Sequence, residues 1–452
     1  MATLRAPIEV RGDKFTVFDN GTYQDATHNQ LFDAHSHGLN YATGVLEGIG
    51  VEISNDGKHL IVFELNAHMA RLIVNANMLH TREGLERFMS EGLDYKPDMP
   101  YGEVYELARG KPKEFRPVLE VISNGKRTLL DLEAVAKLTI EMIQRNLGRA
   151  DSFPIRYLRP LAVLGDKDSQ LNNAGIGVYS SDHLIEFLVH GYLWPKEYMG
   201  SGTFENGMKV LVRAESVIAE LPGTVDFAKA VSNYGSKRTP WKNYAKMKGY
   251  ADALLLGTDR NGRKIVTEFT SANVAIVKDG ILMTPKTSCM TLPGITRHNN
   301  LQVARELATE LGITEVRETD LTLNDLLHAD EVMAFGTAAK VTPVIKVGVE
   351  RKRNGKTEIE EVTIGKGTPG KITKGLQAAY YFLERNMPFE IDGRVVSEFS
   401  NRGTAIEIPN SAQRQVVERL EGISVDQKYD TRFKTPTKEQ VDRALARKVA
   451  LR

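Results

Sequence analysis

Lysines are concentrated in one stretch of the sequence, DFAKAVSNYGSKRTPWKNYAKMKGYADALLL (226–256). The stretch holds five of them: Lys229, Lys237, Lys242, Lys246 and Lys248. An uncharged lysine can attack an aldehyde and can carry a proton to or from a carbon atom. Lysine is, however, almost never buried without a partner. By itself, therefore, the stretch predicts five solvated amines, and the choice of a reactive one depends on other motifs.

A helix N-terminus further along the chain could bind an anion. In LPGITRHNNLQVARELATELGI (292–313), apolar residues repeat on one helical face and Gly312 is suited to end the helix. The helix is expected to start near Arg297, directly after a glycine, an isoleucine and a threonine, and such a start suits a phosphate or carboxylate. A second small polar turn, GTAA (336–339), follows the strand EVMAF. Each segment alone also fits an ordinary helix cap or tight turn.

The composition is that of an ordinary globular protein. The chain has 452 residues, 41% hydrophobic and 26% charged, and its 59 basic and 58 acidic residues leave a net charge of +1. This balance gives no electrostatic reason to expect nucleic acid as a partner. The single cysteine, Cys289, excludes an internal disulfide framework and leaves too few thiols for a thiolate metal site. With no signal-peptide core and no apolar stretch of membrane-spanning length, we expect a soluble cytoplasmic protein.

The elements that must position these groups can be predicted from periodicity. Short apolar runs broken by turn residues predict strands near the N-terminus and at 155–165 and 181–194. Helical spacing appears at 66–80 and again from Leu132 to Met142. The Pro- and charge-rich segment between about 90 and 128 shows no clear pattern.

The second half of the chain predicts strands joined by tight turns. The aromatic stretch 194–207, which also carries Pro and Gly, resembles a linker. Two hairpins follow the lysine-rich stretch, one turning around 259–262 and the other at 279–280. A helix is expected to begin at Thr437, because Gln440 three residues later would complete a capping box.

Eight short motifs follow one another along the chain. They are HGLNYATGVLEGI (37–49), HMARL (68–72), YLRPL (157–161), KAVSNY (229–234), GYADALLL (249–256), TEFTSANVAIVKDG (267–280), LPGITR (292–297) and DEVMAFGTAAKVTPV (330–344). In this order they resemble the fold-type IV pyridoxal-phosphate (PLP) enzymes, and among them the branched-chain amino acid aminotransferases. The resemblance runs from about residue 16 to residue 382. It implies an α/β (α+β) fold of two domains with PLP in the interdomain cleft.

The resemblance singles out one lysine. In the family, the lysine that carries the cofactor begins a Lys-x-x-x-Asn-Tyr motif about one helix before a GYxEALLL-like strand. Lys229 fits this pattern, with Asn233 and Tyr234 behind it. The other lysines lie too close to the strand or lack the Asn-Tyr pair, and two of them, Lys237 and Lys242, are expected to be surface charges. Lys229 would then be the catalytic base and acid.

The resemblance also implies how the remaining motifs hold PLP. Glu268 would pair with the pyridine nitrogen and keep it protonated, and Tyr234 would hydrogen-bond the phenolate oxygen O3′. Arg71 would hold the phosphate through a charge-assisted pair. Further phosphate donors would come from Ile295, Thr296 and Thr337.

Substrate recognition is implied by another pair. Tyr157 and Arg159 match the tyrosine-x-arginine pair typical of the branched-chain enzymes, and alternate residues of a strand share a face. The other substrate-binding positions would be Tyr41, Gly48, Thr337 and Ala338. The substrates would be leucine, isoleucine or valine, with 2-oxoglutarate as the amino acceptor in a ping-pong reaction.

Some features depart from the family pattern. The segment between Arg71 and Tyr157 is unusually long, and its extra residues, about 85–130, could cap the active site, build an oligomer contact or decorate the small domain. The turn TEFTSAN is bulkier than usual, so that Phe269 and Thr270 could narrow the space beside the cofactor. The basic C-terminal end is expected to be a solvated helix face.

The domain organisation follows from the resemblance as an expectation. Residues 1–193 would form a small domain containing the insertion, 194–207 a linker, 208–385 the large PLP-binding domain and 386–452 a C-terminal extension. The small domain would supply the substrate-binding side chains and the large domain the lysine and the phosphate turns. Family members are at least dimeric, so a homodimer or larger homo-oligomer is expected.

Two other functions stay open on the sequence. The same fold and cofactor could serve a D-amino acid, an amine or aminodeoxychorismate, although the Tyr157–Arg159 pair favours branched-chain L-amino acids. A non-catalytic scaffold that kept the fold is the other alternative. It gives no physical reason for retaining the lysine, the glutamate and the phosphate residues together.

Overall fold

The computed structural model shows two large sheets, each packed against helices. The first sheet comes mainly from the first half of the chain and the second from the second half. The structure describes residues 15–19, 22–26, 41–91, 98–123, 126–147, 155–164, 185–192, 198–215, 226–259, 261–288, 290–413, 416 and 430–450.

The first sheet has ten strands among the described residues. They are β1 (Phe15–Asp19), β2 (Thr22–Ala26), β3 (Gly44–Leu46), β4 (Ile49–Ile53), β5 (His59–Phe63), β6 (Leu119–Ser123), β7 (Lys126–Leu130), β8 (Tyr157–Leu164), β9 (Ile185–Tyr192) and β21 (Gly403–Glu407). Their order is β2-β1-β9-β8-β4-β5-β21, with β3 on β8 and the β6–β7 hairpin on β9. β8 pairs with β9 along its whole length and carries the Tyr157–Arg159 pair into the sheet's centre.

Four helices follow the strands of this first half in the described chain. They are α1 (Leu65–His80), α2 (Arg82–Glu91), α3 (Tyr101–Gly110) and α4 (Leu132–Leu147), with a short 3₁₀ turn at Pro112–Glu114. α1 is buried on nearly every side, which explains the apolar residues around its whole circumference. The helices expected at 66–80 and from Leu132 are confirmed. The segment that showed no clear pattern forms α3 and the β6–β7 hairpin.

The second sheet has nine strands among the described residues. They are β10 (Met208–Arg213), β11 (Asp252–Thr258), β12 (Lys264–Phe269), β13 (Asn273–Lys278), β14 (Ile281–Thr284), β15 (Glu315–Glu318), β16 (Glu331–Gly336), β17 (Lys340–Arg353) and β18 (Lys356–Thr363). Their order is β12-β11-β10-β17-β16-β13-β14-β15, with β18 on β17. Because Glu268 of β12 also pairs with Asn273 of β13, the described strands from β12 round to β13 close into a barrel.

Helices surround the barrel. Those of the described chain are α5 (Thr203–Asn206), α6 (Val231–Asn233), α7 (Thr239–Met247), α8 (Ile295–Glu306), α9 (Ala308–Leu311), α10 (Leu323–Leu327) and α11 (Lys371–Leu383). A π-helical turn, Tyr234–Arg238, joins α6 to α7. α8 starts at Ile295, slightly earlier than expected, and Gly312 ends α9 with a φ of 76°. Both predicted hairpins are confirmed as β11–β12 and β13–β14.

The C-terminal part of the chain packs back onto both sheets. A small sheet contains β19 (Phe389–Ile391), β20 (Arg394–Val396) and β22 (Phe433–Lys434). β21 instead joins the edge of the first sheet beside β5. The last helix, α12 (Lys438–Ala450), opens with the predicted capping box, since the Thr437 amide donates to Gln440 at 2.7 Å and the Gln440 amide to the Thr437 hydroxyl at 3.3 Å.

Some expectations concern residues that lie outside the described part. They include Cys289, the N-terminal 1–14 and part of the expected linker. Within the described ranges, no helix has the length and apolar character needed to cross a bilayer. The same ranges contain no group of three or more His, Cys, Asp or Glu arranged to hold a metal ion.

Candidate active site

A cavity of about 690 Å³, including space open to solvent, is lined by residues from both sheets. The predicted site residues that line it are Gly48, Arg71, Tyr157, Arg159, Lys229, Tyr234, Glu268, Ile295, Thr296, Thr337 and Ala338. Tyr41 is the exception, because its side chain is 37% exposed and it is not among the lining residues of the described chain. Phe269 and Thr270 are fully buried and do not line the cavity either.

Lys229 lies just before α6 and is held by its own motif. Its Nζ donates to the Tyr234 hydroxyl at 2.8 Å. Its carbonyl accepts a hydrogen bond from the Leu46 amide at 3.0 Å, which ties the lysine to β3. The Asn233 side-chain amide donates to the Ala228 carbonyl at 3.2 Å. The Asn-Tyr pair therefore fixes both the backbone and the amine of the lysine.

The other lysines of the stretch lie in different surroundings. Lys246 and Lys248 are exposed, as a surface charge should be. Lys237 was expected on the surface, but it is only 6% exposed and forms an ion pair with Asp226. The expectation was wrong because Lys237 belongs to the π-helical turn, where two consecutive basic residues face inward. Lys242 was expected on the surface as well, but its side chain is only 14% exposed and pairs with Asp252 at 3.5 Å, so this expectation was also wrong.

The Tyr234 hydroxyl lies between two cations. Burial raises its pKa, but Lys229 and Arg238 outweigh burial and hold the pKa below its usual value. The Arg238 guanidinium lies 5.5 Å from the centre of the tyrosine ring. A phenol of this kind can share a proton with a neighbouring oxygen anion.

Glu268 lies at the point where the barrel closes and is 2% exposed. Its Oε2 accepts hydrogen bonds from the Asn273 side-chain amide at 3.1 Å and from the Leu292 amide at 3.3 Å. Its Oε1 accepts one from the Arg238 guanidinium. Burial raises the pKa of Glu268 above its ordinary value, although Arg238 opposes this shift. Such a carboxylate is suited to a cationic ring nitrogen.

The helix start expected near Thr296, where an anion could bind, is present as the N-terminus of α8. Gly294 is the residue before the helix, and no side chain of the described chain caps it. The first amides of a helix have no intrahelical acceptor, and the two residues that begin this helix, Ile295 and Thr296, line the cavity. A Cβ on Gly294 would overlap a side-chain oxygen of β13, so the close approach requires glycine. Thr337, in the turn between β16 and β17, lines the same cavity.

Arg71 reaches the cavity through a buried ion pair that the sequence did not predict. Its Nε and Nη2 donate to the two carboxylate oxygens of Glu47 at 2.6 and 2.8 Å. Its Nη1 donates to the carbonyl of Pro293, the residue before Gly294, at 2.8 Å. His68 also contacts Glu47, at 2.7 Å. Glu47 is fully buried, yet Arg71 and His68 hold its pKa well below the ordinary range despite the opposing effect of burial.

Tyr157 and Arg159 lie together on the opposite wall. Arg159 Nη2 donates to the Tyr157 hydroxyl at 3.1 Å, and its guanidinium carbon lies 5.2 Å from the ring centre. Burial raises the pKa of Tyr157 to about 12, although Arg159 opposes the rise. A Cβ on Gly48 would overlap the Tyr157 hydroxyl, so the tyrosine needs glycine at that position.

The insertion contacts the segment at the start of α8. Its helix α3 packs against α1, and the Tyr105 hydroxyl donates to the Pro293 carbonyl at 2.5 Å, the same oxygen that Arg71 contacts. The next residue, Glu106, contacts His298 of α8 at 3.0 Å. This part of the insertion therefore connects the first half of the chain to the start of α8.

Three polar residues at the site were missed from the sequence. Glu47 and Asn273 lie inside quoted motifs, VLEGI and TSANV, and Arg238 follows the Asn-Tyr pair. The sequence shows these three residues, but it does not show which residues they pair with in the fold. A buried glutamate and a buried arginine can be inferred only once a partner is known.

The donor set fits PLP. An amine next to a phenol suits the aldehyde carbon and the neighbouring O3′, and the buried carboxylate suits the ring nitrogen. A helix N-terminus and a guanidinium within one cavity suit a phosphate. Two glycines, Gly48 and Gly294, keep the walls free of side chains that would fill the space.

Comparisons with known proteins show which proteins this chain is similar to. The family model described as amino-transferase class IV matches residues 229–347. The branched-chain-amino-acid aminotransferase of Escherichia coli strain K12 is 30% identical over 351 residues, covering 77% of this chain and 86% of that protein. A crystal structure of an E. coli branched-chain amino acid aminotransferase has a TM-score of 0.57 at 26% identity and covers 81% of this chain and 94% of its own. The Thermobaculum terrenum enzyme of that name, in its PLP form, has a TM-score of 0.59 at 19% identity, covers 87% and 99%, and shows the fold alone.

Proposed function

Since the chain belongs to the branched-chain-amino-acid aminotransferases, we propose that it moves the amino group of leucine, isoleucine or valine to 2-oxoglutarate by a ping-pong mechanism. PLP is its cofactor. The observation that carries the proposal is the meeting of an amine, a phenol, a buried carboxylate and a helix N-terminus in one cavity. Each matches one part of PLP.

The residues would hold PLP as follows. Lys229 would bind at the aldehyde carbon, Tyr234 at O3′ and Glu268 at the ring nitrogen, where a carboxylate favours the protonated form. The phosphate would be held by Arg71, Ile295, Thr296 and Thr337. Bound PLP supplies an electron sink for the substrate Cα.

Lys229 is the group that would move the proton. Its Nζ would take the proton from the Cα of the amino acid and later return one, acting first as a general base and then as a general acid. The Tyr234 hydroxyl, 2.8 Å away and with a lowered pKa, would orient that amine. Buried side chains such as Phe335 line the cavity, together with Leu292, and would limit the access of water.

Substrate selection would depend on the opposite wall. The Tyr157 ring and the apolar lining would receive the branched side chain. Arg159 is only partly buried and could turn toward the second carboxylate of 2-oxoglutarate. One cavity could thus accept an apolar donor and an acidic acceptor in turn.

The test is a spectrum followed by a donor screen. Purified protein should show the visible band of bound PLP, the band should change with L-leucine, and borohydride reduction should label Lys229. In a separate, unreduced sample treated with L-leucine, addition of 2-oxoglutarate should yield L-glutamate. A band that responds to D-amino acids or amines but not to L-leucine, L-isoleucine or L-valine would overturn the substrate class. If the visible band is absent even after PLP is added, the non-catalytic scaffold is the alternative that remains.

The contact made by the insertion gives a further prediction. Tyr105→Phe removes the hydroxyl that bonds the Pro293 carbonyl, and loss of one hydrogen bond corresponds to a dissociation constant for PLP that is about 3- to 10-fold higher. Equilibrium dialysis of the apoprotein with PLP measures it. Tyr101→Phe is the matched control, because its hydroxyl lies on the same helix but bonds Asn75. If the two substitutions raise the dissociation constant for PLP equally, the hydrogen bond from Tyr105 to Pro293 does not have the role predicted here.

We also propose a cytoplasmic homodimer. Tyr41 is 37% exposed and is not among the described residues that line the cavity of its own chain, which fits a site completed by a second copy. Exposed apolar side chains of the first half, including Met89 and Leu129, offer surface for such a contact. Light scattering of the holoenzyme tests the dimer. A monomer mass would overturn the dimer and would leave the proposed reaction unaffected.

A further inference from the structure

Four charged side chains form a buried quartet beside the cavity. The cations are Lys237 and Arg238, 6% and 4% exposed, and the carboxylates are Asp226 and Glu268, each 2% exposed. Their formal charges cancel, as buried charges require. The quartet includes Glu268, the carboxylate proposed to meet the ring nitrogen of PLP. Its neighbours therefore bear on the chemistry of the cofactor.

The π-helical turn places both cations inward. In a regular α-helix, consecutive side chains point in clearly different directions. Here the turn between α6 and α7 buries Lys237 and Arg238 side by side. The same turn begins with Tyr234, so one irregular segment carries both the phenol and the guanidinium of the site. Such turns are frequent at functional sites.

Arg238 is divided between two carboxylates. Its Nη2 donates to Oε1 of Glu268 and lies 3.4 Å from Oδ1 of Asp226. Its Nη1 lies 3.3 Å from the Thr270 carbonyl, and its buried Nε has no hydrogen-bond partner among the described residues. Asp226 is also held by Lys237. Arg238 is therefore bonded more closely to Glu268 than to Asp226. Arg238 also lines the cavity.

We propose that Arg238 is a positioning residue that limits how strongly Glu268 holds a proton on the ring nitrogen of PLP. The inference rests on the proposed PLP site. A bare carboxylate favours a protonated nitrogen, whereas a guanidinium on the same carboxylate brings a like charge near that proton. A nearby charge shifts a pKa by about one to three units. A neutral residue at position 238 would leave the nitrogen facing a net negative charge.

Several charged and titratable groups surround Glu268 and the cavity. The charged and titratable groups that face it or line the cavity are Arg238 and Tyr234 from the π-helical turn, Asp226, Lys229, Arg71, Arg159, Tyr157 and Tyr198. Arg238 is the cation bonded to Glu268 itself. Its substitution therefore changes the charge at the carboxylate most directly.

The test measures protonation of the cofactor in the full-length holoenzyme. Wild type and variants are loaded with ¹⁵N-labelled PLP, and the ring-nitrogen chemical shift is followed by NMR as pH changes. In R238M and R238Q we expect the midpoint for loss of the nitrogen's proton to rise by about one unit or more. R238K keeps the charge and should stay near wild type. K237M is the matched control, because Lys237 pairs with Asp226, and it should move the midpoint less.

Each outcome decides the proposal. A midpoint that is unchanged or lower in R238M and R238Q would overturn it, and so would a wild-type nitrogen that keeps its proton across the whole pH range in which the holoenzyme stays folded. A shift in R238K as large as in R238M would overturn it as well, because charge would not be the cause. R238Q keeps a polar side chain and serves if R238M does not fold. If wild type binds no PLP, the proposed function fails first and this inference with it.

Discussion

Lys229→Ala is expected to lower the rate of amino transfer from L-leucine to 2-oxoglutarate by a factor of about 10³, the range that a positioned acid–base group contributes. The reason is structural as well as chemical. Among the cavity-lining residues of the described chain, Lys229 is the one lysine. Its amine is already held 2.8 Å from the Tyr234 hydroxyl. Water entering the vacated space would be a poor substitute because nothing fixes its position.

Initial rates of glutamate formation measure this effect. Lys246→Ala is the matched control, since Lys246 belongs to the same stretch and carries the same charge but is exposed. It should leave the rate unchanged. Circular dichroism shows whether both variants are folded. A Lys229→Ala enzyme with more than about a tenth of the wild-type rate would assign the proton transfer to another group.

Glu47→Gln is expected to destabilise the apoprotein by about 3 kcal/mol or more and to weaken PLP binding in parallel. The carboxylate holds Arg71 through two hydrogen bonds in a site where both side chains are almost fully buried. Without it, the Arg71 charge stays buried and uncompensated. The guanidinium then loses the orientation that points it at the phosphate turn.

Denaturant unfolding measures the first effect and dialysis with PLP the second. Glu86→Gln is the matched control, because Glu86 also pairs with an arginine, Arg82, but their side chains are 67% and 92% exposed. An exposed pair of this kind contributes about 0.5 kcal/mol. If the two substitutions cost the same, the Glu47–Arg71 pair does not have the role assigned to it.

The same pair predicts a dependence on pH. Burial raises the pKa of Glu47, but Arg71 and His68 outweigh it and leave the folded-state pKa far below the unfolded value. A lowered folded pKa means that the stabilisation is fully present above the unfolded pKa, about 4.3, and is lost as pH falls toward the folded pKa. The free energy of unfolding should therefore drop more steeply below about pH 4.3 in wild type than in E47Q.

Features that depend on neighbouring residues were predictable from the sequence. The β13–β14 hairpin follows from Asp279 and Gly280, both of which adopt positive φ angles, 51° and 77°. The end of α9 follows from Gly312 in the same way, and the start of α12 from Thr437 and Gln440. In each case the signal and the structure lie within a few positions of each other.

Features that depend on distant partners were not predictable. Arg71 was assigned to the phosphate, but the sequence does not show that Glu47 would hold it. Helix α3 lies in the segment that showed no clear pattern, and its contact with Pro293 joins positions far apart in the chain. Lys237 was placed on the surface because a π-helical turn has no reliable sequence signature. The Glu47–Arg71 pair, the contact of α3 with Pro293 and the burial of Lys237 all depend on the folded structure.

Strand β21 has a consequence for how the protein is made. It completes the edge of the first sheet beside β5, with Gly403 opposite Phe63 and Glu407 opposite His59. During synthesis, β5 leaves the ribosome long before its partner does, and an open sheet edge is where nascent chains associate wrongly. Pairing across such a sequence separation is also slow. A late segment of the chain therefore closes this edge, and a chain that ends before residue 403 would have the strands of the barrel but would leave β5 without its partner.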